Sequence, residues 1–212
     1  MTDFKDLGLA DPLLRALSAE GYTAPTPIQA QVIPAMMEGR DVLGTAQTGT
    51  GKTAAFVLPV LHRLASMGTR PSPKTCRALI LAPTRELAAQ IEESVRTYGK
   101  HSHLSQTVVV GGLKISKQIR ALEKGVDILV ATPGRLLDLK AQNAVRFDDV
   151  QTVVLDEADH MMDMGFLPQI RKVLQQLPKT RQTALLSATM PKDIRALADQ
   201  FLKDPVDVAV AQ

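Results

Sequence analysis

The chain has 212 residues, 45% of them apolar, and a formal net charge of +3, which suits one large domain with a sizeable core. Its longest apolar runs, such as Ala78–Ala82 and Val108–Val110, are far too short to span a bilayer, and Asp3 and Asp6 stand where a secretory leader needs a basic start. One cysteine excludes an internal disulfide, four histidines show no zinc spacing, and 3% aromatics without tryptophan leave little for a base-stacking platform. The expectation is a cytoplasmic protein without membrane contact, with Cys76 as a small buried hydrophobe and His101 and His103 at the surface. The modest positive charge permits a nucleic-acid partner, held by its backbone, without demanding one.

In chain order, Asp11-Pro12 and Thr26-Pro27 each pair a capping residue with a proline and mark helix starts. A strand over Asp41–Gly44 follows, then Ala46-Gln47-Thr48-Gly49-Thr50-Gly51-Lys52-Thr53, which opens a helix running from Thr53 towards Leu64. This is the P-loop pattern with Ala46 in place of its first glycine. Backbone N–H groups of such a turn, backed by a helix N-terminus, cradle phosphate oxygens. Lys52 then reaches the outer phosphates and the Thr53 hydroxyl reaches Mg²⁺.

Next comes a strand over Ala78–Ala82, running into Pro83-Thr84-Arg85-Glu86-Leu87 and a helix over Glu86–Tyr98. A strand over Gln106–Val110 ends in Gly111-Gly112, and one over Asp127–Ala131 ends in Thr132-Pro133-Gly134-Arg135. Each of these three strand ends offers exposed backbone or a small residue beside a hydroxyl or a guanidinium, parts that suit phosphate and sugar better than base edges. Taken singly, each is also an ordinary turn or helix start. Between them, Lys114, Lys117, Arg120 and Lys124 lie opposite Ile115, Ile119 and Leu122 and read as the solvated face of an amphipathic helix.

The apolar strand Thr152–Leu155 ends in two carboxylates, Asp156 and Glu157. Beside a P-loop, Asp156 would hold Mg²⁺, commonly through water, and Glu157 would polarise the water that attacks a γ-phosphate. Met161, Met162 and Met164 read as core packing, and a helical pattern covers Ile170–Leu177. A strand over Thr183–Ser187 leads into Ser187-Ala-Thr189, and Val206–Val210 reads as an edge strand or the start of a linker. Continuous apolar strands alternating with helices indicate α/β architecture, a mostly parallel sheet covered on both faces, with ligands at the carboxyl ends of the strands.

Asp156-Glu-Ala-Asp159 is the tetrapeptide that names the DEAD-box ATP-dependent RNA helicases, and the whole chain resembles the first RecA-like domain of that family, most closely its bacterial RhlE-type members. Gly21-Tyr-Thr-Ala-Pro-Thr-Pro-Ile-Gln29 is similar to the family's Q motif. The resemblance implies that Tyr22 stacks on adenine, that Gln29 bonds its N6/N7 edge, and that Phe4 supports the pocket. A glutamine amide does offer the complementary donor and acceptor. Thr26-Pro-Ile-Gln29 is equally a capping box, and local sequence alone leaves both readings open. The resemblance further implies RNA contacts at Pro83, Thr84, Arg85, Gly111, Gly112, Thr132, Pro133, Gly134 and Arg135. It also implies a coupling element in which the hydroxyls of Ser187 and Thr189 bond Asp159. His160 stands where close relatives often carry arginine.

The implied partners are ATP or ADP with Mg²⁺, RNA without sequence preference, and a C-terminal RecA-like domain of the same longer protein. Residues 1–205 would form the nucleotide-binding domain and 206–212 its last strand or linker, because no arginine-rich motif of the second domain is present. Such a fragment is expected to be monomeric and nearly inactive in hydrolysis. A GTPase reading fails because the only asparagine, Asn143, precedes alanine and cannot open an Asn-Lys-x-Asp segment. A pure RNA-binding module would not need Lys52, Thr53 and Glu157 together. A DNA helicase of the same superfamily fits the Q motif and the tetrapeptide less well.

Overall fold

A computed structural model describes residues 2–210; Ala211 and Gln212, the end of the segment read as strand or linker, lie outside the described residues. After a short 3₁₀ turn at Phe4–Leu7 come α1 (Asp11–Ala19), α2 (Pro27–Met37), β1 (Val42–Thr45), α3 (Lys52–Met67), β2 (Cys76–Leu81) and α4 (Arg85–Tyr98). Then follow β3 (Gln106–Val109), α5 (Ile115–Leu122), β4 (Val126–Ala131), α6 (Pro133–Ala141) and β5 (Thr152–Leu155). The chain continues through α7 (Ala158–Asp163), α8 (Leu167–Gln176), β6 (Gln182–Ser187), α9 (Lys192–Phe201) and β7 (Val206–Ala209).

The seven strands form one sheet in the order β3-β4-β2-β5-β6-β1-β7, and every pairing is parallel. Strands β2, β4, β5 and β6 are buried along their whole length, as a parallel sheet covered on both faces requires. One apolar cluster joins the sheet to α1–α4 and a second joins it to α5–α9. Strand order sorts the strand-end segments into two groups. The carboxyl ends of β5, β6 and β1 lie side by side, carrying Asp156-Glu157, Ser187 and the glycine-rich loop. Those of β2, β4 and β3 lie side by side at the other end, carrying Pro83–Leu87, Thr132–Arg135 and Gly111-Gly112.

Several local readings change. Asp11 lies inside α1, whose N-cap is Ala10 with no side-chain bond; as a first-turn acid it complements the helix dipole instead. Thr132 caps α6 by position but its hydroxyl makes no cap bond. Asp41 falls outside β1 because its carboxylate accepts the Thr183 and Lys203 N–H groups, at 2.8 and 2.7 Å, tying three chain segments together. Met161 is buried, but Met164 is 45% exposed, since α7 ends before its side chain can turn inward. Val206–Ala209 pairs with β1 as an edge strand. Cys76 is fully buried and its thiol is pushed up to about 12, first by burial and then by Asp149. Among the described residues no helix is long and apolar enough to cross a membrane.

Candidate functional site

The glycine-rich loop is held from behind by the segment that precedes α2. Thr26 caps α2, its Oγ1 accepting the Gln29 N–H at 3.5 Å while Gln29 Oε1 accepts the Thr26 N–H at 2.9 Å. Gln29 Nε2 donates to the Gly51 carbonyl at 3.0 Å. Gly51 is left-handed, at φ 82°, and a Cβ there would run into Gln29 Nε2 and Thr26 Oγ1. So the capping box and the loop are one hydrogen-bonded unit. One amide proton and one oxygen lone pair of Gln29 remain for a ligand. Ala46 N–H donates to the Ser187 carbonyl at 3.0 Å and the Thr50 hydroxyl to the Gln47 carbonyl at 2.7 Å, which fixes the loop's first half.

Lys52, at the first turn of α3, turns back across the sheet end. Its Nζ lies 2.9 Å from Asp156 Oδ1 and 3.7 Å from Glu157 Oε2, with only 6% of its side chain exposed and none of Asp156. Burial drives the Asp156 pKa up, against the downward pull of Lys52. The ammonium is the close partner of Oδ1, and the carboxylate oxygens keep lone pairs without a fully formed bond. A fully buried carboxylate with lone pairs still open beside a single ammonium is chemistry that suits a hard divalent cation. Among the described residues no three carboxylate, histidine or cysteine groups converge.

Glu157 follows in a left-handed conformation, φ 53° and ψ 55°, which costs a residue with a Cβ about 1–2 kcal/mol. That turn aims its carboxylate back at Lys52, and His160 Nδ1 stands 3.3 Å from Oε1 on the other side. Asp159 faces the end of β6. Its Oδ2 accepts the Thr189 hydroxyl at 2.9 Å and the Thr189 N–H at 3.1 Å. Ser187 Oγ accepts the Asp159 N–H at 3.1 Å, so this hydroxyl meets the backbone of Asp159. Partial burial raises the Asp159 pKa, but bonds from Thr189, Ser187 and the His160 and Thr189 N–H groups outweigh it and leave the pKa lowered.

At the other group of strand ends, the Thr84 hydroxyl caps α4 by accepting the Leu87 N–H at 3.1 Å. Arg85 is exposed and lies over Gly112, where an added Cβ would come within 2.7 Å of Arg85 Nη1. Pro83 and Pro133 are buried, whereas Gly111, Gly112 and Gly134 are exposed. Thr132 N–H donates to the Val109 carbonyl at 3.1 Å, joining the ends of β4 and β3. Arg135 is largely turned inward: its side chain is 14% exposed, and Nη1 donates to the Leu113 carbonyl at 2.9 Å and to Gln118 Oε1 at 3.1 Å. The three segments expected to act together therefore do meet.

Residues 26–197 match the DEAD/DEAH box helicase family. The chain belongs to that family. It is 47% identical over 209 residues to the RNA helicase CrhR of Synechocystis sp., covering 99% of this chain and 41% of that protein. It is 45% identical over 210 residues to the DEAD-box ATP-dependent RNA helicase CshA of Bacillus cereus, covering 99% and 39%. The chain thus spans about two fifths of the length of these curated relatives. The crystal structure of a DEAD box protein from the hyperthermophile Methanococcus jannaschii superposes with a TM-score of 0.91 at 34% identity, over all of this chain and 56% of that one. The fold is accordingly that of a RecA-like DEAD-box domain.

In this DEAD-box domain a cavity of about 510 Å³ joins Tyr22, Thr26 and Gln29 to Thr48, Gly49, Gly51, Lys52, Thr53 and Glu157. Phe4 also lines it, whereas Ala46, Gln47, Thr50 and Asp156 do not. Tyr22 is 53% exposed, the posture of an aromatic with a free face. Sequence reasoning missed the opposite wall, formed by Leu87, Gln90, Ser94 and Tyr98 of α4. Their spacing puts them on one helix face, and two polar residues and a phenol between buried Ala88, Ile91 and Val95 were the available signal. The Tyr98 pKa is raised by burial and then by Tyr22 and Glu20, consistent with a phenol turned towards that loop.

Proposed function

We propose that this chain is the nucleotide-binding half of a cytoplasmic ATP-dependent RNA helicase of the bacterial RhlE type. Residues 1–205 with the edge strand β7 are its first RecA-like domain, one part of a longer protein that carries a second. Tyr22 stacks on adenine, and the free donor and acceptor of Gln29 meet its N6/N7 edge. Backbone N–H groups from Ala46 to Thr53 cradle the phosphates. Lys52 moves from Asp156 to the outer phosphates as nucleotide enters, exchanging one anion for another. Asp156 and the Thr53 hydroxyl hold Mg²⁺, which neutralises phosphate charge when bound. Glu157 Oε accepts the proton of the attacking water. Asp159, Thr189 and Ser187 couple this end of the sheet to the strand-gripping end. There Thr84, Arg85, Gly111, Gly112, Thr132 and Gly134, on turns set by Pro83 and Pro133, hold sugar and phosphate, and Arg135 braces the loop after Gly112 from within.

The observation that carries this reading is the buried Lys52–Asp156 contact of 2.9 Å beside a strained Glu157. A lysine parked on a carboxylate under a glycine-rich loop is positioned to turn to an incoming phosphate, which would leave Asp156 free to hold a divalent cation. Calorimetric titration of the chain with ATP and GTP in Mg²⁺ tests it, with Lys52→Ala alongside. Adenine-nucleotide binding lost on that substitution supports the reading, and its absence in the unsubstituted chain would sink it. Hydrolysis by this half alone should be slow, because a missing arginine finger costs about 10³-fold or more. RNA-stimulated turnover by the longer protein is the corresponding measurement.

A further inference from the structure

The loop joining β3 to α5 is tied down at two carbonyls, and both ties come from side chains that are mostly buried. Gln118, in the middle of α5 and 7% exposed, donates from Nε2 to the Val110 carbonyl at 3.0 Å. Its Oε1 accepts Arg135 Nη1 at 3.1 Å, and the same Nη1 reaches the Leu113 carbonyl at 2.9 Å. An α5 lined with Lys114, Lys117, Arg120 and Lys124 on its solvent side has no other buried polar side chain. A planar trans peptide points its N–H opposite to its C=O. With the Val110 and Leu113 carbonyls drawn inward, the N–H groups of Gly111 and Lys114 must point outward. No hydrogen-bond acceptor is found for the N–H of Gly111, Gly112 or Lys114 among the described residues. The Arg85 guanidinium lies over the same loop at Gly112.

We propose that Gln118 is a positioning residue. Together with Arg135 it clamps two peptide planes so that the 111–114 loop presents outward N–H groups to one phosphate of an RNA strand, beside Arg85. Consecutive N–H groups aimed at one point make an anion-binding concavity, and holding them before the anion arrives avoids the cost of ordering them on binding. Gln118 carries no charge and is too deep to touch the strand, so its contribution is geometric. This inference rests on the RNA-gripping reading above.

The test compares the unsubstituted chain with Gln118→Leu and Arg85→Ala, using fluorescent oligo(U) and a mixed-sequence RNA at several KCl concentrations. Gln118→Leu should weaken both RNAs alike, by roughly five- to tenfold, without changing the slope of log affinity against log salt. Arg85→Ala should lower that slope by about 0.7, the mark of a lost phosphate contact. In ¹⁵N spectra, the Gly111 and Lys114 amides should shift on RNA addition in the unsubstituted chain and much less in Gln118→Leu. If Gln118→Leu fails to fold, Gln118→Glu carries the test. It keeps the acceptor for Arg135 but sets an oxygen against the Val110 carbonyl. Unchanged RNA affinity, a reduced salt slope, or an equal loss of ATP affinity in the Gln118 variant would overturn the proposal. Absence of RNA binding by the unsubstituted chain would overturn the RNA reading and this inference with it.

Discussion

At the β5–β6–β1 end of the sheet the working groups are charged, mostly buried and answered by one another. Lys52 faces Asp156 and Glu157, and Asp159 faces Thr189. At the β2–β4–β3 end the groups turned to solvent are Arg85 and short stretches of backbone around Gly112 and Gly134, with Arg135 bent inward to brace them. The two ends of one sheet use opposite strategies. A small, highly charged ligand calls for few side chains of fixed protonation in a low-dielectric recess. A long, repetitive polyanion, the partner proposed for this end, calls instead for exposed N–H groups and one or two guanidinium groups, which do not read bases.

That contrast can be broken most sharply at Glu157. In the longer enzyme, Glu157→Gln should lower steady-state ATP turnover at least ~100-fold, the value of a positioned base, while ATP and RNA still bind. Near-normal turnover would show that the carboxylate beside Lys52 is electrostatic only. Gln29 is next. Gln29→Ala should weaken ATP by about 1–3 kcal/mol if the base edge is read directly. Because Nε2 also tethers Gly51, GTP should weaken too, though less. Equal losses for both nucleotides, by calorimetry, would make Gln29 a brace of the loop and not a reader of the base.

At the other end, Gly112→Ala tests whether backbone shape is the active ingredient. A Cβ at φ 81° meets Arg85 Nη1, and the left-handed backbone alone costs about 1–2 kcal/mol. RNA affinity should fall while ATP affinity holds, in paired titrations. If RNA binding survives, the Arg85 charge is sufficient without the loop. The smallest effect is expected at the junction of the two ends. Thr189→Val removes one bond to Asp159, so the Asp159 pKa should rise towards the ordinary 3.8. A carboxylate whose folded pKa is lowered stabilises the fold above its unfolded pKa and loses that share as pH falls through the folded value. Thr189→Val should therefore be less stable than the unsubstituted chain above about pH 4, and the two should converge in acid. Carboxyl ¹³C titration and urea unfolding at both pH values check this.

The nucleotide end was largely legible from the residues. Lys52, Thr53, Asp156 and Glu157 announce their chemistry by type and by position after a strand, because phosphate and Mg²⁺ demand particular charges. The strand-gripping end was legible only as a set of turns. Gly111-Gly112 is an unremarkable pair until Arg85 is found lying over it, and Arg135, which the family resemblance marks as an RNA contact, turns inward. Gln118 gave no sign: within a run of lysines and isoleucines, a glutamine reads as one more solvated residue.

Sequence by itself determined the α/β architecture, the glycine-rich turn and the acid pair as candidate groups, and the places where strands end. Periodicity, capping and residue chemistry act within a few positions of the chain. Only the tertiary structure decided which strand ends became neighbours. The order β3-β4-β2-β5-β6-β1-β7 places Asp156 about a hundred residues after Lys52 in the chain yet within 2.9 Å of it in space. It also decided that Gln29 serves its own helix and the loop together, and that Arg135 and Gln118 turn inward. Side-chain direction and burial are set by which elements pack together, and that information is spread over the whole fold and resides in no single segment.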